Sequence, residues 1–207
     1  MLASQILRTG VFAAAIAFAA AASAHAEAPS GRWLDAKSIV NWNKPGAAIP
    51  RGPKAVNPEM FQQCEKQGAE ETKKVPPTPE TRQVSAAGWR IAKVDKRAGA
   101  TVVVFAFNGL DGMCRPLAYQ FFVFVGGRFA GTLAPRPMHA REDGAGYFEQ
   151  NQQIQPRRFT AEFARYRESD ALCCPSRTST VTYEIRHAPG GGMLTVPVKV
   201  ATKRNPQ

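Results

Sequence analysis

Apolar and polar positions alternate most regularly near the end of the chain. Val181, Tyr183 and Ile185 alternate with polar residues, and after the glycines at 190–192 a second alternating series runs from 194 to 200. A period of two is typical of a strand with one buried face. The pattern therefore predicts two antiparallel strands, and Pro197 predicts that the second is an edge strand or directs its missing donor outward.

Two denser apolar runs precede this pair. The β-branched run at 100–107 ends at Asn108-Gly109, and the aromatic run at 117–125 ends at Gly126-Gly127. Both have the length and composition of buried strands. Two glycines between apolar runs also predict a hairpin into residues 128–133, because such turns need positive φ. Residues 159–166 fit either a strand or a helix face, and we favour a strand.

The N-terminal half differs in composition. From residue 27 to about 85 the chain is rich in proline, and its charged stretch at 65–82 offers little to bury, so we expect irregular structure there. Two exceptions are expected. The spacing of Trp33, Leu34, Ile39 and Trp42 is loosely that of one helix face, and Asn57-Pro58 is typical of the start of a short helix over 57–67.

These patterns predict a mainly β protein. We expect one antiparallel β domain at 85–207, as a sandwich or a partly open barrel, and a loop-rich arm at 27–84 that is held to it by disulfides. The sequence contains no internal repeat and no sustained heptad. A single β domain is therefore the simplest fold.

The first 26 residues have the pattern of a signal peptide. Arg8 precedes an apolar run at 11–22, and Ala24-His25-Ala26 fits a signal-peptidase site. Cleavage after Ala26 would make the mature protein periplasmic or secreted. The alternative is a retained membrane anchor, but a spanning helix needs about 20 apolar residues. No later stretch reaches that length, so the mature chain is expected to have no transmembrane segment.

The chain is basic, with 27 Lys and Arg against 16 Asp and Glu and a net charge of +11. Such a charge favours anionic partners, which in a cell envelope are lipid head groups or acidic polysaccharide, and an envelope protein is another candidate partner. Export argues against nucleic acid. The alternative interpretation is an ordinary solvated surface, because no run of five or six basic residues forms a tail.

All four cysteines follow the predicted cleavage site: Cys64, Cys114, Cys173 and Cys174. An even number in an oxidising compartment predicts two disulfides, and three connectivities are open. In two of them Cys64 and Cys114 each pair with one member of the doublet, the adjacent cysteines 173 and 174. Either pairing would tie the arm to the C-terminal strands. Ordinary disulfide geometry argues against the third, in which Cys173 and Cys174 pair with each other.

A set of arginines is the best candidate for a binding surface, because guanidinium groups bind oxyanions through paired hydrogen bonds. Several of these arginines lie near aromatic residues in the second half of the chain. The alternative is an ordinary exposed face. The predicted anion-binding residues are Arg128, Arg136, Arg141, Arg157, Arg158, Arg165 and Arg177.

Known catalytic and metal motifs are missing from the sequence. His139 and His187 are the only histidines after the predicted cleavage site and lie in unrelated contexts, so we expect no metal site and no cofactor. The motif Cys173-Cys174-Pro175-Ser176-Arg177 places a thiol beside a guanidinium, but a disulfide is the expected fate of exported cysteines. We assign no catalytic residue.

Several segments are similar to a known family. They are Gln120-Phe121-Phe122-Val123-Phe124, Gly127-Arg128-Phe129-Ala130-Gly131-Thr132, Asp170-Ala171-Leu172-Cys173-Cys174-Pro175-Ser176-Arg177 and Thr180-Val181-Thr182-Tyr183. The C-terminal half thereby resembles the LppP/LprE family of bacterial cell-envelope proteins. The resemblance implies a small exported β domain and no known reaction. This chain lacks the cysteine that lipidated members carry after the signal peptide.

The sequence therefore favours an exported envelope protein that binds an anionic component or a partner protein without catalysis. The alternative is an enzyme of unrecognised type, with a site assembled from Arg, Glu and His side chains that converge only in the fold.

Overall fold

The computed structural model describes residues 33–36, 38–97, 99–139, 144–145, 157–171 and 173–206. The predicted signal peptide and Arg141 lie outside these residues. The described strands form two antiparallel sheets of four strands each, which confirms the predicted mainly β fold. The proposed division at residue 85 stays a prediction.

The first sheet contains the two dense apolar runs. Its strands are β1 (Arg90–Arg97), β2 (Thr101–Phe107), β3 (Gln120–Val125) and β4 (Arg128–Thr132), in that spatial order. β3 and β4 form the hairpin that the two glycines predict, and both glycines have positive φ. Both faces of the central strands are covered, so nearly every residue of β3 is buried. That double burial explains why this strand reads as a continuous apolar run.

The second sheet contains the alternating strands. Its members are β5 (Gly144–Ala145), β6 (Arg158–Arg165), β7 (Arg177–His187) and β8 (Met193–Arg204), again in chain order. The favoured strand at 159–166 is confirmed as β6. Among the described strands of this sheet, β8 pairs with β7 alone, so the prediction of an edge strand at Pro197 is also confirmed.

One hydrophobic core lies between the two sheets. Phe121 and Val123 of β3 belong to the same buried cluster as Phe163 of β6 and Tyr183 of β7. The Tyr183 hydroxyl donates a hydrogen bond of 2.5 Å to the carbonyl oxygen of Leu133. Burial raises the pKa of this phenol well above its ordinary value. Tyr183 therefore links the second sheet to the chain that leaves β4.

The arm contains more regular structure than its composition suggests. α1 (Pro58–Lys66) confirms the predicted helix, but α2 (Pro79–Ala86) lies where we expected irregular chain. The Thr78 side chain accepts a hydrogen bond from the backbone N–H of Thr81, the Thr81 hydroxyl accepts one from the N–H of Thr78, and proline occupies the first turn. These are strong helix-start signals. They outweigh the proline content on which the expectation of irregular chain rested.

The expected helix face at 33–42 is wrong. Only Trp33–Asp35 forms a helical turn, of the 3-10 type, and the chain from Ile39 to Lys44 has no regular secondary structure. Trp33 and Trp42 nevertheless meet edge to face, with ring centroids 5.0 Å apart. The aromatic spacing therefore reflects packing of an irregular segment on the core, and a helix does not produce it.

The predicted pairing of Cys64 and Cys114 with the doublet is wrong as well. The structure contains two disulfides, Cys64–Cys114 and Cys173–Cys174. Val56 forms a parallel bridge with Gly109, and the Asn57 side chain contacts the Leu110 carbonyl oxygen. These contacts bring α1 alongside the segment after β2. The arm is therefore tied to the first sheet, and the doublet forms a ring of its own.

No helix among the described residues is both long and apolar enough to cross a bilayer.

Candidate anion-binding site

The structure separates the predicted arginines into different surroundings. Arg128 at the start of β4 and Arg136 in the loop after it are exposed. Arg157 and Arg158, at the start of β6, are exposed at a different place in the fold. Arg165 and Arg177 are direct cross-strand partners at the other end of β6. The pair at 165 and 177 is thus the part of the set that the strand register brings together.

A third arginine, absent from the predicted set, extends this pair. Arg177 of β7 is opposite Arg204 of β8, so three arginines occupy one row across β6, β7 and β8. Residues that are directly opposite in an antiparallel pair direct their side chains to the same face, with Cβ atoms about 5 Å apart. The sequence does not reveal Arg204, because counting back from the glycine turn places Lys203 opposite Arg177, and only the bulge between Thr182 and Tyr183 shifts the register by one residue.

Arg165 is the neutralised member of the row. Its side chain is fully buried, and its guanidinium lies 2.5 Å from the carboxylate of Asp35 and donates at 2.9 Å to the Ser179 hydroxyl. Ser179 in turn shares a hydrogen bond of 2.7 Å with Thr202 of β8. This network explains how a charged residue sits in the interior of the sheet. It also leaves Arg165 inaccessible to a ligand at the surface.

Arg177 and Arg204 differ from Arg165 in having no anion beside them among the described residues. Arg177 is half-buried, and its Nε is buried without a hydrogen-bond partner in the described structure. Like charges that are directly opposite each other destabilise a sheet, and a buried donor without an acceptor adds to that. An oxyanion placed between the two guanidinium groups would offset both effects.

The loop before β7 holds this end of the sheet in place. The Asp170 carboxylate accepts hydrogen bonds from the backbone N–H groups of Arg167 and Ser176, at 2.7 and 2.8 Å. The bond from Arg167 is the largest influence, and together these bonds hold the pKa of Asp170 below its ordinary value. The Asn205 side chain also donates to the Pro175 carbonyl oxygen at 2.7 Å. The start of β7 is therefore fixed from both sides.

Cys173 and Cys174 lie in this loop, and both are exposed. Their sulfur atoms are bonded to each other, so neither is a free thiol in this structure. The pairing of a thiol with a guanidinium that the sequence suggests is thus absent in the oxidised protein.

A concave feature lies between the arm and β1, away from the arginine row. It is an open groove of about 610 Å³ between Phe61, the segment 71–77 and the residues around Trp89. Arg90 stacks on the Phe61 ring, with its guanidinium carbon 4.1 Å from the ring centroid. Among the described residues, the lining of the groove has one carboxylate, Glu71, together with Arg90, and no histidine.

The described residues contain no group of three His, Cys, Asp or Glu side chains that lie together as metal ligands. His139 is half-buried after β4, and His187 is exposed at the end of β7.

Comparison with known proteins gives one match. The model of the LppP/LprE lipoprotein family matches residues 93–188, a little under half of the chain. The matched segment runs from β1 to the end of β7 and includes Arg165, Arg177 and the cysteine doublet, while Arg204 follows it. No curated protein and no solved structure shows a significant similarity to the chain.

Proposed function

Starting from the match of residues 93–188 to the LppP/LprE lipoproteins, which fits a protein of the cell envelope, we propose that this chain is exported and binds anionic groups at Arg177 and Arg204 without chemical conversion. The observation that carries the proposal is the register of β6, β7 and β8. It places three arginines in one row, of which only Arg165 has a carboxylate beside it in the described residues.

The chemistry of the ligand follows from the two guanidinium groups. Each presents a planar set of N–H donors that suits the oxygen atoms of a phosphate or a carboxylate. In an envelope these groups occur on lipid head groups and on acidic polysaccharide. The wider basic charge of the chain adds attraction at longer range, and salt weakens it.

The site is tested with the double variant Arg177→Gln/Arg204→Gln. Binding is measured to vesicles of phosphatidylglycerol, to neutral phosphatidylcholine vesicles and to polygalacturonate, at low and at moderate salt. Each arginine near an anionic surface contributes about 1 kcal/mol, so the double variant should bind roughly thirtyfold more weakly. The vesicle or polymer to which the wild type binds identifies the source of the anion.

The matched control is Arg128→Gln/Arg136→Gln, which removes the same charge from exposed positions elsewhere. We expect it to weaken binding much less than the site variant does. Equal losses in the two variants would mean that general charge, and not the arginine row, attracts the ligand. If the wild type bound neither to the vesicles nor to polygalacturonate at low salt, the proposal would be refuted.

Export is tested separately. The full chain is expressed in a bacterium with an envelope, and the protein in the periplasmic extract is sequenced from its N-terminus. The proposal expects the mature chain to begin at Glu27. Recovery of the protein only in the cytoplasm, with its first 26 residues intact, would contradict it.

A further inference from the structure

The two disulfides of this protein have opposite surroundings. Cys64 is 0% exposed and Cys114 is 7% exposed, whereas Cys173 and Cys174 both lie at the surface. A thiolate must reach a sulfur atom to exchange with a disulfide, so access decides which bond reacts. In the folded protein a reductant can approach the doublet and is kept from the buried pair.

The doublet also contributes little of what a disulfide ordinarily gives. A cross-link stabilises a fold mainly by restricting the unfolded chain, and the effect grows with the length of chain that it closes. Cys64–Cys114 closes a separation of 50 residues, and Cys173–Cys174 closes a separation of 1. Stabilisation of the fold is therefore a poor explanation for the bond between Cys173 and Cys174.

The charge around the doublet suits exchange. Arg177 begins β7 three residues after Cys174, and Arg167 lies six residues before Cys173. Among the described loop residues, Glu168 is the only exposed acidic residue. Positive charge stabilises the thiolate that leaves when a disulfide is attacked. Exposed disulfides are the labile and regulatory ones.

From exposure, ring size and charge together, we propose that Cys173–Cys174 is a thiol–disulfide exchange site whose substrates are dithiol reductants, and that reduction loosens the loop before β7. The inference goes beyond anion binding and does not depend on it.

Exchange at the doublet takes place in two steps. One thiolate of the reductant attacks a sulfur of the doublet, the Cys173–Cys174 bond breaks, and a mixed disulfide forms while the other cysteine leaves as a thiolate. The second thiol of the reductant then attacks the mixed disulfide and releases the remaining cysteine. The doublet gains two electrons and two protons, and the dithiol leaves as its own disulfide.

The structure indicates which contacts would respond. The backbone N–H of Cys174 donates to the Ala171 carbonyl oxygen at 3.0 Å, and the N–H of Ser176 donates to Asp170 at 2.8 Å. Both bonds lie within or beside the ring that reduction opens. The N–H of Asn205, which donates to the Ser176 carbonyl oxygen, lies at the same end of β8. Val181, in the middle of β7, lies far along the strand and should not respond.

The experiment uses the folded, full-length mature protein and graded dithiothreitol, followed by alkylation and peptide mass spectrometry. Cys173 and Cys174 should be alkylated at dithiothreitol concentrations at least about a hundredfold below those that label Cys64 and Cys114. Amide hydrogen exchange at Cys174 and Ser176 should accelerate in the selectively reduced protein, while exchange at Val181 stays the same.

The control variant is Cys173→Ala/Cys174→Ala, which should take up no label over the range that labels the wild type. Reduction of both disulfides at the same concentration, or of Cys64–Cys114 first, would overturn the exchange site. Selective reduction without faster exchange at Cys174 and Ser176 would overturn the loosening of the loop. Neither readout involves an anion, so a failure here is distinct from a failure of anion binding.

Discussion

The Asn43 side chain and the backbone of Thr132 are joined by two hydrogen bonds. The Asn43 side-chain nitrogen donates to the Thr132 carbonyl oxygen at 2.9 Å, and the Thr132 backbone N–H donates to the Asn43 side-chain oxygen at 2.8 Å. The same Asn43 nitrogen also donates to the Thr195 carbonyl oxygen of β8 at 2.9 Å. One amide from the arm thereby joins the edge strands of the two sheets.

Asn43→Ala should consequently destabilise the protein by about 2 to 3 kcal/mol, because the Thr132 N–H of β4 and the Thr195 carbonyl oxygen of β8 lose the partner that Asn43 supplies. Urea unfolding followed by fluorescence measures the loss. Val40→Ala is the control in the same segment, since Val40 is 74% exposed and its truncation should change stability by less than about 0.5 kcal/mol. Equal effects would argue against the bridge.

Gly131→Ala tests the closeness of that contact. Gly131 has a φ of +132°, and a Cβ built there would lie 2.4 Å from the Asn43 side chain. We expect a loss of at least about 2 kcal/mol in unfolding free energy from strain and displacement of the amide. Gly46→Ala is the control, because Gly46 has a φ of +67° and open space around it. In an Asn43→Ala background the cost of Gly131→Ala should shrink, and an unchanged cost would assign the effect to backbone strain alone.

Asp35→Ala should cost about 3 kcal/mol, because it leaves the buried guanidinium of Arg165 without its carboxylate. We expect no larger loss, because the Asp35 side chain is 48% exposed and water replaces part of the interaction. Chemical denaturation of the single and double variants measures it. The double variant Asp35→Leu/Arg165→Leu should recover much of the stability, and a further loss instead would show that the pair has a different role.

The two disulfides should differ in their contribution to stability. Cys64→Ala/Cys114→Ala should lower the free energy of unfolding by about 4 kcal/mol, and Cys173→Ala/Cys174→Ala by about 1 kcal/mol, from the lengths of chain that they close. Each double variant serves as the control for the other in thermal and urea unfolding. Similar losses would contradict this account.

Acid stability should depend on Asp170. Its pKa is lowered in the folded protein, first by the hydrogen bond from the Arg167 backbone. A lowered folded-state pKa contributes stability above the ordinary pKa and loses it as pH falls through the folded value. Wild type should therefore exceed Asp170→Asn in stability at about pH 6 and converge toward it between about pH 4 and pH 2. A difference that stayed constant with pH would exclude this carboxylate as the source.

The strands could be predicted because their cause is local. Alternation in β7 and β8 and the glycine pair before β4 each depend on a few neighbouring residues. α2 also has a local cause, since Thr78 and Pro79 are helix-start signals, but the prolines around it are an equally local signal for irregular chain.

Features that depend on distant contacts were not accessible in this way. The Cys64–Cys114 bond forms where the bridge between Val56 and Gly109 brings two distant segments together. No short-range pattern in the sequence predicts that bridge. The arginine row depends on the register of three strands, and the burial of Arg165 depends on a carboxylate 130 residues away in the chain. The sequence predicts that arginines bind anions, and the strand register determines which of them lie side by side.

The bridge made by Asn43 also affects how the protein behaves among its own copies. An open strand edge offers free N–H and C=O groups to any other chain with a similar edge, which is a common route to aggregation. Asn43 occupies such groups on β4 and β8 at once, and Pro197 removes a donor from β8. A short irregular segment thus leaves fewer free backbone groups on these two sheet edges for another copy of the chain to pair with.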